Sequence, residues 1–203
     1  MIIYNDIKEY LKNNLSQKRY EHTLAVAEEC DKMALIFGLS EKDTETLHTA
    51  ALLHDITKEK TPGEQITLCR VYQIEYTETY LSTPALFHAK TGAEYALEQF
   101  KGTVTKEAAE LIRTHTTGCV NMTLMQKLLL LADGIEKTRK HDSLVSLRSY
   151  FYENPGNKDL ICHLNDTVIR YFDLTVRFLL ESGQVIDNET ISARNDLIIK
   201  RGK

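Results

Sequence analysis

The sequence predicts an all-α protein, a helical bundle, and three observations carry that prediction. Apolar residues recur at three- and four-residue spacing along nearly the whole chain, alternating strand-like runs and hairpin dipeptides are missing, and only three prolines interrupt 203 residues. With 42% hydrophobic and 27% charged residues, the chain has enough apolar material for one well-buried core. No repeat, low-complexity tract or linker divides it, so a single domain over 1–203 is expected.

Composition narrows the function classes. Twenty-five basic against 29 acidic residues give a formal charge of −4, which leaves no basic footprint for nucleic acid, so an anionic ligand must be met by a local site. Cys30, Cys69, Cys119 and Cys162 are scattered without a C-x-x-C pair, which argues against a zinc knuckle or a disulfide framework and for reduced thiols. The opening Met1-Ile2-Ile3-Tyr4-Asn5-Asp6 lacks the basic and apolar regions of a signal peptide, and no apolar run approaches membrane-spanning length. A cytoplasmic protein without membrane association is expected.

The elements follow in order. Asp6 caps a short first helix with Ile7, Tyr10 and Leu11 on one side, and Ser16 caps a second that runs to a stop at Gly38. On that helix His22, Val26, Cys30, Met33 and Phe37 share a stripe, so His22 points inward, as a hydrogen-bonded core residue or as a ligand. The third helix starts at Ser40, with Asp43 at the capping-box position, and brings Leu47, Ala51 and His54 onto one face, leaving His48 in solvent. It ends in Ala50-Ala51-Leu52-Leu53-His54-Asp55. Two metal-binding side chains leaving a packed wall are costly to bury unless something neutralises them, and a divalent metal would do so. Alone, the pair reads equally well as a helix C-terminus with its histidine on the negative end of the dipole. Lys58, three residues beyond Asp55, is either a surface lysine or an ammonium holding an anion near the metal.

Thr61-Pro62-Gly63-Glu64 is a capping-box start for a short helix, and the polar, tyrosine-rich stretch 71–83 reads as an irregular connection. Thr83-Pro84 restarts helix and places His88 just before Gly92 and Ala93, small residues that permit close packing; Ala93, Leu97 and Phe100 form the buried stripe, ended by Gly102. Thr105 caps a helix whose apolar face, Ala108, Leu111 and Ile112, ends at His115; with Thr116, Thr117 and Gly118 this is a pocket edge or a plain helix stop. From about Thr123 a strongly apolar helix runs through Leu128-Leu129-Leu130-Leu131 into Ala132-Asp133, and a carboxylate there is expensive unless neutralised. In the polar run that follows, Arg139 either grips phosphate bidentately or is solvated. Helix resumes after Ser143, turns at Asn154-Pro155-Gly156-Asn157, and returns as a long element with Leu160, Leu164, Tyr171, Leu174 and Phe178 as its core stripe and His163 incidental. It ends near Gly183, and a short helix over 190–200 closes the chain.

His22, His54, Asp55, His88, His115 and Asp133 thus all lie on or beside apolar helical faces and can converge at a bundle centre. Their order resembles the HD metal-dependent phosphohydrolase superfamily. It narrows to the YqeK-type HD family, similar to the symmetrical bis(5′-nucleosyl)-tetraphosphatases, on Arg19-Tyr20-Glu21-His22-Thr23-Leu24, Leu53-His54-Asp55-x-x-Lys58, His88-Ala89-x-x-Gly92-Ala93-Glu94, His115-Thr116-Thr117-Gly118, Leu131-Ala132-Asp133 and Ala193-Arg194-Asn195-Asp196. Departures fall in one loop: Gly134 stands where the family usually has an aromatic, Lys137 where it has proline, and His141-Asp142-Ser143 where it has Phe-Pro-Gly.

The resemblance implies two divalent transition-metal ions, one on His22, His54, Asp55 and Asp133, the second sharing Asp55 with His88 and His115. Iron is the metal it implies, and manganese, cobalt or nickel suit such histidine-rich N/O ligation as well. It implies hydrolysis of diadenosine tetraphosphate or a related dinucleoside polyphosphate to two nucleoside diphosphates, with Asp55 and Lys58 catalytic and Arg19, Lys58, Thr116, Thr117 and Arg139 on the phosphates. The partner is a nucleotide substrate, met by a monomer or homodimer. Two other readings stand beside it: another HD phosphohydrolase, a nucleoside monophosphate phosphatase or phosphodiesterase, with the same ligands, and a nucleotide-sensing module without turnover. The second would show decayed HD ligands or a lost lysine, and neither is seen.

Overall fold

Hydroxyl side chains set five of the helix starts. The computed structural model describes residues 2–153 and 159–201, with helices α1 (Ile2–Asn14), α2 (Gln17–Ile36), α3 (Glu41–Leu53), α4 (Pro62–Val71), α5 (Glu78–Ser82), α6 (Phe87–Gln99), α7 (Lys106–Thr114), α8 (Leu124–Ile135), α9 (Asp142–Glu153), α10 (Leu160–Glu181) and α11 (Asn188–Arg201). A single 3₁₀ turn, Pro84–Leu86, leads into α6, and no strand occurs among the described residues. Ser16, Ser40 and Thr105 accept the backbone N–H of Arg19, Asp43 and Ala108, satisfying donors that the first helical turn leaves free. Thr61 with Glu64, and Thr123 with Gln126, form complete capping boxes.

These elements pack around α8. Helix α2 lies against α3 and α8, α3 against α7 and α8, and α6 against α7, while α9 and α10 cover the other side of α8. Because α8 has neighbours all round, Leu128, Leu129, Leu130 and Leu131 are all fully buried, which is why its sequence is an apolar run and not a stripe. Each such leucine contributes about 1.5–3 kcal/mol over an exposed one, so Asp133 stands at the end of a firmly held post. Ala50, Ala51, Ala93 and Ala96, all fully buried, let α3 and α6 come close to their neighbours. No described helix is long and apolar enough to cross a membrane.

The structure departs from the sequence expectations in several places. Helix α1 already runs through Asp6, which is therefore inside a helix and caps nothing. The connection 71–83 contains one short helix, α5, whose Tyr80 joins Cys69 and Phe87 in a small satellite core. His48 is half-buried, with Nδ1 2.8 Å from Asp31 and its ring edge-on to Tyr4. His163 is buried between Tyr150 and Phe151 of α9, and its Nε2 donates to the Phe151 carbonyl at 3.1 Å. The buried side of α10 runs through Leu164, Val168 and Phe172, whereas Phe178 is 60% exposed because the helix outruns the bundle. The expected turn at Asn154-Pro155-Gly156-Asn157 lies outside the described residues.

Two glycines are required by their surroundings. Gly118 has φ +66°, and a Cβ there would lie 2.7 Å from Phe172. Gly134 faces the ring of Tyr171 from α10, so a Cβ would fall 2.3 Å from Cε2. The space an aromatic at 134 would enter is filled by an aromatic from another helix. Gly134→Ala should therefore cost about 1–3 kcal/mol by overpacking, and that cost should vanish in a Tyr171→Ala background, where alanine's better helix propensity takes over. Urea unfolding of the four proteins measures this; an equal cost in both backgrounds contradicts the pairing.

Candidate metal centre

Each centre histidine sits where a helix end offers an acceptor for Nδ1. His54 and His115 cap the C-termini of α3 and α7, and their Nδ1 atoms lie 2.7 Å from the carbonyls of Ala51 and Ile112 in the last helical turn. His88, in the first turn of α6, sets Nδ1 2.5 Å from the Ala85 carbonyl. His22, midway along α2, sets Nδ1 3.0 Å from Glu136 Oε1. A carbonyl or carboxylate can only accept, so each Nδ1 carries a proton and each Nε2 is the ring nitrogen left facing the centre. His22 differs from the rest in that its Nε2 also meets a carboxylate: burial lowers its pKa, but the hydrogen bonds to Asp133 and Glu136 outweigh that and raise it above the usual histidine value.

Those ring nitrogens gather about Asp55. After Leu53 the chain winds in tight turns, Ile56 N to Leu53 O and Lys58 N to Asp55 O, which carry Asp55 and Lys58 to the bundle centre. Oδ2 of Asp55 faces Nε2 of His54 at 3.4 Å and of His22 at 3.7 Å, and Oδ1 faces His88 at 3.2 Å and His115 at 3.8 Å. Asp133 Oδ1 lies 3.0 Å from His22 Nε2 and 3.9 Å from His54 Nε2. His22, His54 and Asp55 bring ligand atoms within 4.8 Å of one another, as do Asp55, His88 and His115. The six residues singled out in the sequence therefore meet, with one carboxylate shared between two groups.

The electrostatics call for a cation. His54 Nε2 is buried without any hydrogen-bond partner, and Nε2 of His88 and His115 face each other at 3.1 Å, lone pair to lone pair. No proton fills that gap: burial pushes His115 down to about 3, with His88 and His54 adding to it, and burial together with Lys58 lowers His88. Burial alone would raise Asp55, but the imidazoles of His54 and His88 outweigh it and hold the carboxyl well below the usual range. Burial of Asp133 is likewise overcome by the His22 hydrogen bond, His54 and Arg139. Imidazole Nε2 atoms turned inward, ionised carboxylates and Nδ1–H groups held from behind are the donor set a divalent ion needs.

The cationic side chains crowd the same point. Arg19 Nη1 is 2.5 Å from Asp55 Oδ2, Arg139 Nη2 is 2.6 Å from Asp133 Oδ1, and Lys58 Nζ is 3.3 Å from both ring nitrogens of His88. Arg19 and Arg139 remain 27% and 36% exposed, which marks the side on which the centre opens. Thr116 Oγ1 lies 3.2 Å from Nε2 of both His88 and His115. Thr117 is not part of this assembly: its hydroxyl donates to the Gly118 carbonyl and to Glu189 of α11. Sequence reasoning missed Glu136, which follows Asp133 by three positions and so shares its helical face. It also missed Gln65, whose amide donates to the Thr57 carbonyl at 2.6 Å and accepts from Thr91, while Thr57 donates to the His88 carbonyl at 3.1 Å, locking the 54–59 turn onto α6.

Fold and centre together define the class: an all-α protein built around a histidine and carboxylate site for divalent metal. A family model described as HD domain matches residues 19–138. The chain belongs to the HD domain family. It is 30% identical over 191 residues to a protein of Halalkalibacterium halodurans named "Bis(5'-nucleosyl)-tetraphosphatase, symmetrical", covering 94% of this chain and 95% of that one. A Staphylococcus aureus protein of the same name is 30% identical over 93% of this chain and 91% of its own. Among solved structures, a predicted HD superfamily hydrolase involved in NAD metabolism from Clostridium acetobutylicum superposes with a TM-score of 0.85 at 31% identity, over 97% of each chain.

Proposed function

We propose that this protein is a metal-dependent hydrolase that cleaves diadenosine tetraphosphate and related dinucleoside polyphosphates symmetrically to two nucleoside diphosphates. The observation that carries the chemistry is Asp55, with a pair of imidazole Nε2 atoms facing each of its two oxygens. Support for the substrate comes from relatives of that name that match nearly the whole chain. His22, His54, Asp55 and Asp133 would hold one divalent ion, and His88 and His115 with Asp55 a second; iron is our choice, with manganese, cobalt or nickel compatible with the same ligands. When bound, such ions supply Lewis acidity and a nucleophilic water at neutral pH.

The chain's own groups do the rest. Burial lowers Lys58 below the usual lysine value even though Asp55 and Asp133 oppose it, which suits an ammonium that donates to a phosphoryl oxygen. Arg19 and Arg139 each hold a ligand carboxylate while remaining part-exposed on the open side, where the phosphates of a substrate would meet their charge. Thr116 offers a hydroxyl on the same rim.

Products in oxygen-18 water test the assignment. Attack of water at an inner phosphorus expels one nucleoside diphosphate and labels the terminal phosphate of the other, so about half of the diphosphate molecules should carry the isotope. A monophosphate with a triphosphate as first products contradicts symmetrical cleavage. Faster turnover of deoxynucleoside monophosphates than of tetraphosphate dinucleotides would transfer the site to the monophosphatase reading.

A further inference from the structure

The centre is lopsided. His54, His88 and His115 hand Nδ1–H to neutral backbone carbonyls, whereas His22 hands it to a carboxylate. Glu136 is fully buried, and both of its oxygens are fixed: Thr138 Oγ1 donates to Oε1 at 2.6 Å and the Thr138 N–H to Oε2 at 2.5 Å. The turn that carries it is tied down in turn by Arg148, whose guanidinium donates to the carbonyls of Ile135, Glu136 and Arg139. An ionised carboxylate so deeply placed is costly unless it serves something, and the groups facing it are His22, Thr138 and Arg139, whose Nε stands at 3.6 Å. Asp133 and Glu136, one turn apart at the end of α8, thus grip the His22 ring at both nitrogens, 3.0 Å each. Among the described residues no carboxylate backs Nδ1 of His88 or His115, which meet backbone carbonyls.

We infer that Glu136 is a positioning residue that makes the two ion positions unequal: the ion on His22, His54, Asp55 and Asp133 is the tightly held one, and the ion on Asp55, His88 and His115 exchanges. The inference rests on the two-ion arrangement proposed above. A carboxylate behind a ligating imidazole fixes its orientation and makes Nε2 a stronger donor, an effect typically worth about 10–100-fold in metal affinity. The position with four protein ligands and such backing outranks the one with three.

Metal-free protein titrated with manganese(II) by calorimetry, and with cobalt(II) by its visible absorption, tests this without any turnover. The wild type should fill in two steps of unlike affinity. In Glu136→Gln, which keeps the shape and an acceptor but removes the charge, the tight step should weaken by roughly 10–100-fold and the first cobalt equivalent should change its spectrum, while the weak step stays. His115→Gln should do the reverse and abolish only the weak step. Glu136→Asp keeps the charge but withdraws it by one methylene, and should move the tight step in the same direction by less, so a Gln variant that fails to fold does not end the test. Two unchanged steps, a change confined to the weak step, or a parallel loss of both in folded Glu136 variants overturns the inference while leaving two-ion binding standing. A wild type that takes up no ion overturns both, and the first titration reports it.

Discussion

Asp55→Asn should empty the centre and stop turnover. The amide keeps the shape but removes the charge and replaces one oxygen by a donor, so both groups facing Asp55 lose their shared anionic ligand and one of them meets an N–H instead of an acceptor. Metal ions supply several kcal/mol of charge stabilisation in such reactions, and about 1.4 kcal/mol is tenfold, so the loss in kcat/KM should be roughly 10³–10⁵-fold. Elemental analysis should find the variant depleted in metal beside a wild type carrying about two ions per chain. An Asn variant that keeps both ions and most of its activity contradicts the shared role of this carboxylate.

Lys58→Ala should separate binding of metal from reaction. Lys58 lies 3.3 Å from the His88 ring but offers no lone pair to an ion while charged, so its removal should leave the metal content near normal. Losing one electrostatic stabiliser of a reacting phosphoryl group costs about 10²–10³-fold in turnover. A variant with wild-type kcat would return Lys58 to a merely structural place in the 54–59 turn, and one that loses metal as well would make it part of the scaffold of His88.

The bundle and the six centre residues could be read from the sequence because both leave periodic traces. An imidazole or carboxylate on an otherwise apolar face, as at His22, His54 and Asp133, conflicts with burial until a partner is supplied, and the structure brings these groups together. What could not be read depends on contacts between distant helices. Glu136 lies in a stretch that looks like a solvated charge run, and only the approach of α2 to the end of α8 reveals its bond to His22. His163 gives no sign in its own helix that Tyr150 and Phe151 will enclose it, and the exposure of Phe178 follows from where the bundle stops. Arg19 and Arg139 were legible as cations bound for an anion; the anions they meet are the carboxylates of Asp55 and Asp133.

The central claim is that one carboxylate joins two ion positions, and diffraction from crystals of manganese-loaded protein, recorded on both sides of the manganese absorption edge, tests it most directly. The account predicts two anomalous peaks flanking Asp55, one within coordination distance of Oδ2 together with His22, His54 and Asp133, the other of Oδ1 together with His88 and His115. A crystal of loaded protein with no peak at the bundle centre, or with a single peak that leaves His88 and His115 unligated, contradicts it.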